Sequence, residues 1–454
     1  MRSIWAVAIN TIRQALRMKI AAAFVILLFI LLPVMGVSMT GDGTLKGRLQ
    51  TFVSYGLSLT SILLCLLTII VSVYSITSDI KQRQIYTVIT KPIRRYQLLI
   101  GKLFGVMLLN VMLLVLFSAM IYSITVFMPK FYNPTEAERA VVKNEFYTAR
   151  ASITPPEFDV SKEVKEVYDR LKDANQLPED MSYSEIISQL TSVRKLERRA
   201  VSPGYMLPLV FTDVKPLDPN GSLFIKFKFD VAVTPPDSQI IGRWMVGDYR
   251  YIRYGEKIDT PIYDKVHKHS IRTIHEIEVP ASVVPANGRL CVAFINHPLN
   301  NTVVIFPLED GLEVLYKADT FSGNFIRAVL LILFRLVFLA CLGILGSSFL
   351  SFPVAILFCL VIFFTATFSN FVIESFNFLG QNLSGVYSYT IKPVIQLLPQ
   401  FDKFNPTKFL VPAQFISWIL VAKAAGLMVC IKSFLLLLIA LLIFSFKEIA
   451  KIIV

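Results

Sequence analysis

Charge is what this sequence has least of. Asp, Glu, Lys and Arg make up 17% of its 454 residues and hydrophobic residues 54%, whereas a soluble globular domain carries about 25% charged residues. That shortage excludes an ordinary soluble protein, and a mean hydropathy of +0.60 points to a membrane protein carrying one polar domain. Cysteine is scarce too. Cys65, Cys341, Cys359 and Cys430 sit in apolar runs and only Cys291 lies in a polar stretch, so no disulfide framework can be drawn. Catalytic motifs are missing as well: no G-x-x-x-x-G-K-S/T loop, no G-x-S-x-G elbow and no H-E-x-x-H helix occurs. The chain is therefore not expected to be an enzyme or to carry a cofactor, and any ATP chemistry belongs to another chain.

What is present is length in the apolar runs. Six stretches are long enough to cross a bilayer core, which takes about 20 apolar residues: 20–38, 52–76, 101–127, 326–346, 351–373 and 425–446. Most of the formal charge of +13 flanks these runs, at Arg2, Arg13, Arg17 and Lys19, within 77–102, and after residue 446. This is the positive-inside pattern. It puts both termini in the cytoplasm and predicts no nucleic-acid partner. Residues 3–18 repeat apolar side chains at helical spacing (Ile4, Ala8, Ile12, Leu16) with no convincing A-x-A cleavage site after them. An interfacial helix feeding the first span fits better than a signal peptide. The resulting plan is an α-helical polytopic protein with six transmembrane helices and an α+β domain at 128–324, between the third and fourth helices on the extracytoplasmic side. The membrane parts are 1–127 and 325–454, the latter with an external segment at 374–424.

Within the inserted domain, 134–200 is rich in Glu, Lys and Arg and predicts a solvated helical subdomain, whereas 204–317 changes to short strands broken by Pro, Gly and Asn. The run SLFIKFKFDVAV alternates, with Leu223, Ile225, Phe227, Phe229 and Val231 on one face, as a half-buried antiparallel strand requires. A β-sandwich of about seven strands is the expectation. All four histidines fall in this region. His267 and His269 share a strand face and would be weak metal candidates if His275 or His297 converged on them, but no carboxylate or thiol cluster accompanies them.

Two features stand out inside the spans. Ser54, Ser58, Ser61, Cys65, Thr68, Ser72 and Ser75 recur at steps of four and three along the second span, drawing a stripe of small, weakly polar side chains. Such a stripe serves either close helix packing or a wall on a translocation path or dimer seam; Leu63 and Ile70 fall on the side expected to face lipid. Arg335 lies within the fourth span, eight residues past Arg327, and a charge there needs a partner or water; Glu374 is a candidate partner.

The loop at 77–102, TSDIKQRQIYTVITKPIRRYQLLIGK, carries six basic side chains against one acid. Ile85, Val88 and Ile89 form an apolar patch on a short helix, Pro92 stops it, and Arg94, Arg95 and Lys102 anchor the restart at the cytoplasmic surface. A patch facing the cytosol needs lipid or a partner protein. The run SDIKQRQIYTVITKPIRRYQLLIGK resembles the first cytoplasmic loop of ABC type-2 permeases, in which an acidic residue, a short helix, a Lys-Pro or Ser-Pro turn, an Arg and a Gly-Lys precede the third span. GSSFLSFPVAILF (346–358) and LPQFDKFNPTKFLVPAQF (398–415) are similar to the bacterial branch of the same family. Asp79 stands where that family usually has glutamate, and the insertion is far larger than in its compact members.

The resemblance implies a permease subunit whose loop is a coupling helix received by an ATP-binding subunit, with Asp79, Gln84, Ile85, Val88, Ile89, Pro92 and Arg95 at the docking face. It also implies a dimer with a second permease copy or a homologous permease, ATP and Mg held by the partner subunit, and short, partly re-entrant helices over 384–424. Ser54, Ser58, Ser61, Thr68, Ser72 and Arg335 would line the path or seam. The expected setting is the bacterial inner membrane and the expected activity is export. The alternatives are ABC-driven mechanical transmission without transport, or a membrane-anchored binding or scaffold protein, for which a single span would suffice.

Overall fold

The computed structural model describes residues 2–81, 94–132, 134–174, 176–177, 183–219, 221–256, 260–308, 310–377, 393, 395 and 397–446. The chain divides into two compact units, Met1–Tyr147 with Phe321–Val454, and Thr148–Thr320.

In the first unit, α1 (Arg2–Leu16) is separated from α2 (Lys19–Ser38) by Met18 in extended geometry. Ala8, Thr11 and Ala15 form the buried face of α1, while Arg2, Trp5, Arg13 and Leu16 are exposed, the two-faced pattern of a helix lying at an interface. Next come α3 (Leu45–Lys81) and α4 (Arg95–Phe131), each of 37 residues. At 1.5 Å per residue each is about 55 Å long, well beyond a hydrocarbon core of about 30 Å, so both project from it. α4 takes α1 against its first turns through two glycines. A Cβ on Gly101 would lie 2.8 Å from Val7 Cβ, and one on Gly105 would lie 2.7 Å from the Ala8 carbonyl oxygen. α5 (Glu136–Glu145) opens on a reciprocal cap, the Glu138 amide donating to the Thr135 hydroxyl and the Thr135 amide donating to the Glu138 carboxylate.

The insertion boundary expected at residue 128 falls later. Lys46 pairs with Glu145, the Tyr147 hydroxyl donates to the Thr125 carbonyl at 2.7 Å, and the Phe146 ring sits 5.3 Å from that of Phe321. These contacts draw α5 into the membrane unit.

The second unit begins with β1 (Thr148–Ile153), inside the region expected to be helical. It pairs antiparallel with β11 (Leu312–Thr320), so the helical part reduces to α6 (Ser161–Asp173) and α7 (Tyr183–Glu197). The strands between are β2 (Ala200–Val201), β3 (Met206–Phe211), β4 (Ser222–Phe227), β5 (Asp230–Val231) and β6 (Gln239–Asp248). After α8 (Tyr249–Tyr254) come β7 (Tyr263–Ser270), β8 (His275–Pro280), β9 (Leu290–Asn296) and β10 (Val304–Ile305). They form three antiparallel sheets, ordered β1-β11-β4-β8, β2-β10-β5 and β3-β9-β6-β7. The alternating run at 222–233 does bury Leu223, Ile225, Phe227, Phe229 and Val231. It is two strands rather than one. The ladder breaks at 228–229, where the Lys228 amide turns to the Gly311 carbonyl, and β5 joins a different sheet. Trp244 of β6 is fully buried, its ring 4.3 Å from Phe227 of β4 and 5.0 Å from Phe294 of β9. Both four-stranded sheets thus contribute to one aromatic core.

The chain returns to the membrane unit with α9 (Phe321–Phe349), α10 (Phe352–Thr367), α11 (Ser369–Asn377), the short α12 (Thr407–Leu410) and α13 (Trp418–Phe446). Among the described residues five helices, α2, α3, α4, α9 and α13, are long and apolar enough to cross a membrane, so the protein is membrane-embedded with a separate β-sheet domain. The crossing expected at 351–373 is interrupted. α10 is 16 residues long, about 24 Å. Near its end the Thr365, Thr367 and Ser369 hydroxyls bond the carbonyls of Val361, Phe363 and Ala366, a competition with the helical ladder that bends helices. The last crossing starts earlier than residue 425, at Trp418, where the Ser417 hydroxyl caps the Leu420 amide, and passes through π-helical turns at Ala425–Ser433.

α3 and α9 form the inside of the bundle. Leu64, Ile69 and Val73 of one and Ile332, Leu336 and Leu339 of the other are essentially inaccessible. Leu63, expected to face lipid, is buried as well, while Ile70 is half-buried.

Candidate functional site: a polar seam through the membrane unit

The stripe on α3 faces inward. Ser61, Cys65, Thr68, Ser72 and Ser75 are buried within this one chain; only Ser54 and Ser58, nearer the start of the helix, remain half-buried. The expectation of a dimer seam or open path is corrected for the buried members, because α9 already occupies that face. A Cβ added at Gly343 of α9 would collide with Ser72, the close approach that small residues permit in membranes. The hydroxyls are met locally. Thr68 bonds the Leu64 carbonyl at 2.6 Å and the Asn110 Oδ1 of α4 at 3.0 Å, and Ser72 and Ser75 bond carbonyls one turn back. Asn110 is a buried polar group that sequence reading passed over, and its own signal was plain: an amide in the middle of an apolar run.

Arg335 lies at one end of this seam. It donates to the Ser61 hydroxyl at 3.3 Å and to the Phe401 carbonyl at 3.2 Å, with its guanidinium carbon 4.9 Å from the centre of the Phe401 ring. The side chain of Glu374, the candidate partner, lies outside the described residues. Arg335 thus acts within a larger arrangement on the same face of α9. Asn324 donates to the Gln414 carbonyl and accepts from the Ile416 amide, each at 2.8 Å; Arg327 donates to the Ile416 carbonyl at 2.7 Å and stacks on Phe415 and Trp418. From α3, Gln50 donates to the Val411 carbonyl, and from α13, Lys432 donates to the Leu398 carbonyl. Irregular backbone at membrane depth leaves amides and carbonyls that must find partners inside the protein, at a cost of several kcal/mol each if they do not. These five side chains supply such partners for the segment 398–416.

At the opposite end of α3, Asp79 and Lys102 form an ion pair at 2.6 Å, and Lys102 also donates to the Ser75 carbonyl. Both side chains are buried, Lys102 at 3% exposure. Lys102 was expected among the surface anchors; it points inward because α3 presents the Asp79 carboxylate and the Ser75 carbonyl to that face of α4. Arg95, expected at a docking face, reaches the end of α13 instead, donating to the Ser445 carbonyl at 2.8 Å. Basic side chains are suited to the last carbonyls of a helix. Gln84, Ile85, Val88, Ile89 and Pro92 lie outside the described residues.

In the β-sheet domain, His267 stacks on His269 with ring centres 5.6 Å apart, and the His275 ring lies tilted 4.5 Å from that of His269. The His267 ring bonds the Tyr263 hydroxyl at 2.9 Å and the His275 ring reaches the Thr273 hydroxyl and the Ser270 carbonyl. Burial, then the neighbouring His275 and His267, push His269 down to about 4; burial and Lys265 lower His267. His297 does not converge on them; it caps the Leu299 amide. Among the described residues no group of three His, Cys, Asp or Glu side chains is placed to hold a metal.

No family model, curated protein or solved structure matches the chain. The functional reading therefore rests on its residues and their geometry.

Proposed function

We propose that this protein is the membrane-spanning permease subunit of an ATP-binding-cassette system, an exporter energised by a separate ATP-binding subunit that docks on the loop at 79–91. The observation that carries this reading is the buried Asp79–Lys102 pair. It ties the last turns of α3 to the first turns of α4, the two helices between which the loop is strung. A push on a loop anchored in this way moves both helices together rather than dissipating at a hinge. α3 is packed along its length on α9, and α9 holds the segment 398–416 through Asn324, Arg327 and Arg335. Displacement at the loop would reach that segment through rigid helices, a contiguous route for coupling.

In this reading α10 and α11 together make a sixth crossing, the sheets of 148–320 form an extracytoplasmic β-sandwich, and the termini lie in the cytoplasm of a bacterial inner membrane. Two copies, or this chain with a homologous permease, flank the path. The ATP and its Mg sit on the partner subunits. Replacing Val88 and Ile89 with Asp should release a co-purifying ATP-binding subunit while the permease still elutes as a folded species. Undiminished co-purification would remove the docking role.

A further inference from the structure

Between α2 and α4, at the end of the bundle away from the Asp79–Lys102 pair, lies a groove of about 620 Å³. Its walls are Pro33, Val37, Phe127, Met128, Phe131 and Tyr132, almost entirely apolar. Val37 and Phe131 are each 80% exposed, so the groove opens to the outside of the bundle.

Two cations stand on these walls. The Arg48 guanidinium lies 4.4 Å from the centre of the Tyr132 ring, and the Lys130 ammonium 4.9 Å from that of Phe127. Phe127 and Tyr132 both line the groove, so both charges stand at its rim. Neither pairs with a carboxylate among the described residues. Two acids of the adjoining segments are engaged elsewhere: Asp42 accepts from the Thr44 amide and hydroxyl, and Glu145 pairs with Lys46.

We propose that this groove is a binding site for an anionic phospholipid, with an acyl chain along Pro33, Val37 and Phe127 and the phosphate held by Arg48 and Lys130. Charge complementarity selects this occupant. A second copy of the chain meeting the groove about a two-fold axis would bring the same unpaired cations to the contact, which is repulsive. A zwitterionic lipid would bring its own ammonium toward two like charges. An anionic headgroup neutralises both at once, and each basic residue near a lipid surface adds about five-fold in affinity.

The test uses the full chain reconstituted in phosphatidylcholine vesicles, with spin-labelled phosphatidylglycerol or phosphatidylcholine reporting the motionally restricted fraction. Phosphatidylglycerol should be preferred by roughly 25-fold at low salt, and Arg48→Gln with Lys130→Gln should erase the preference while leaving the protein folded by near-ultraviolet dichroism. Should the double variant fail to fold, Lys130→Gln alone, at an exposed position, should reduce the preference about five-fold. Ser123→Trp, on the groove wall, should lower restriction of both lipids. Equal restriction of the two lipids by the unaltered protein, an unchanged preference in the charge variants, or disulfide cross-linking of two copies through Val37→Cys would each overturn the proposal.

Discussion

Lys102 Nζ and the Asp79 carboxylate meet at 2.6 Å, where both side chains are almost fully buried. Removing one partner of such a pair leaves an uncompensated charge and costs about 3–5 kcal/mol, whereas replacing both with neutral groups of similar volume is close to neutral. Asp79→Asn and Lys102→Met should therefore each lower the thermal midpoint in detergent markedly, and the double variant should recover most of it. If the pair couples the loop to the helices, the recovered double variant should still bind an ATP-binding subunit yet show weakened dependence of turnover on the permease. Full coupling in that variant would assign the pair to stability alone.

Arg335 holds the Phe401 carbonyl, the Phe401 ring and the Ser61 hydroxyl at once, which a planar guanidinium does and an ammonium does not. Arg335→Lys should loosen the segment 398–416 nearly as much as Arg335→Gln. Hydrogen exchange over those residues should accelerate by about ten-fold or more, consistent with a loss of roughly 1.5–3 kcal/mol for a charged hydrogen bond. Unchanged protection in both variants would show that Asn324 and Arg327 suffice.

Gly343 faces Ser72 with no room for a Cβ. Gly343→Ala should destabilise the bundle by about 1–3 kcal/mol through overpacking, and Ser72→Gly in the same chain should restore much of the loss. Ile62→Leu, on the exposed side of α3, should do almost nothing. A harmless Gly343→Ala, measured by detergent melting, would mean that the α3–α9 seam can dilate.

His269 is held neutral in the folded domain, pushed down to about 4 against about 6.5 in an unfolded chain. The unfolded state therefore takes up the proton first. The stabilising contribution is complete above about pH 6.5 and is lost as pH falls toward 4. After discounting for partial solvent exposure, about 1–2 kcal/mol is at stake. Hydrogen exchange at 148–320 in the full chain should quicken between pH 6.5 and 4, and His269→Leu should flatten that dependence if the leucine is accommodated. An unchanged profile in the variant would place the dependence in other groups.

The amino-acid sequence by itself determined the membrane class, the position of most apolar helices and the alternation of β4, because each follows from local periodicity: a run of apolar residues near bilayer length, or side chains alternating about a strand. It also exposed Arg335 as a charge that had to be satisfied. Only the tertiary structure decided who satisfies it. A stripe of small residues reads alike whether it faces a second chain, a path or a neighbouring helix, and here Gly343, far along the chain, fills that face. The break after Thr367 and the sheet change between β4 and β5 were equally illegible, since both depend on where competing hydrogen-bond partners arrive in space. The inward turn of Lys102 shows the same limit. Its position beside a loop suggests solvent, and it is buried because Asp79, 23 positions earlier, and the Ser75 carbonyl meet it only once α3 and α4 have packed.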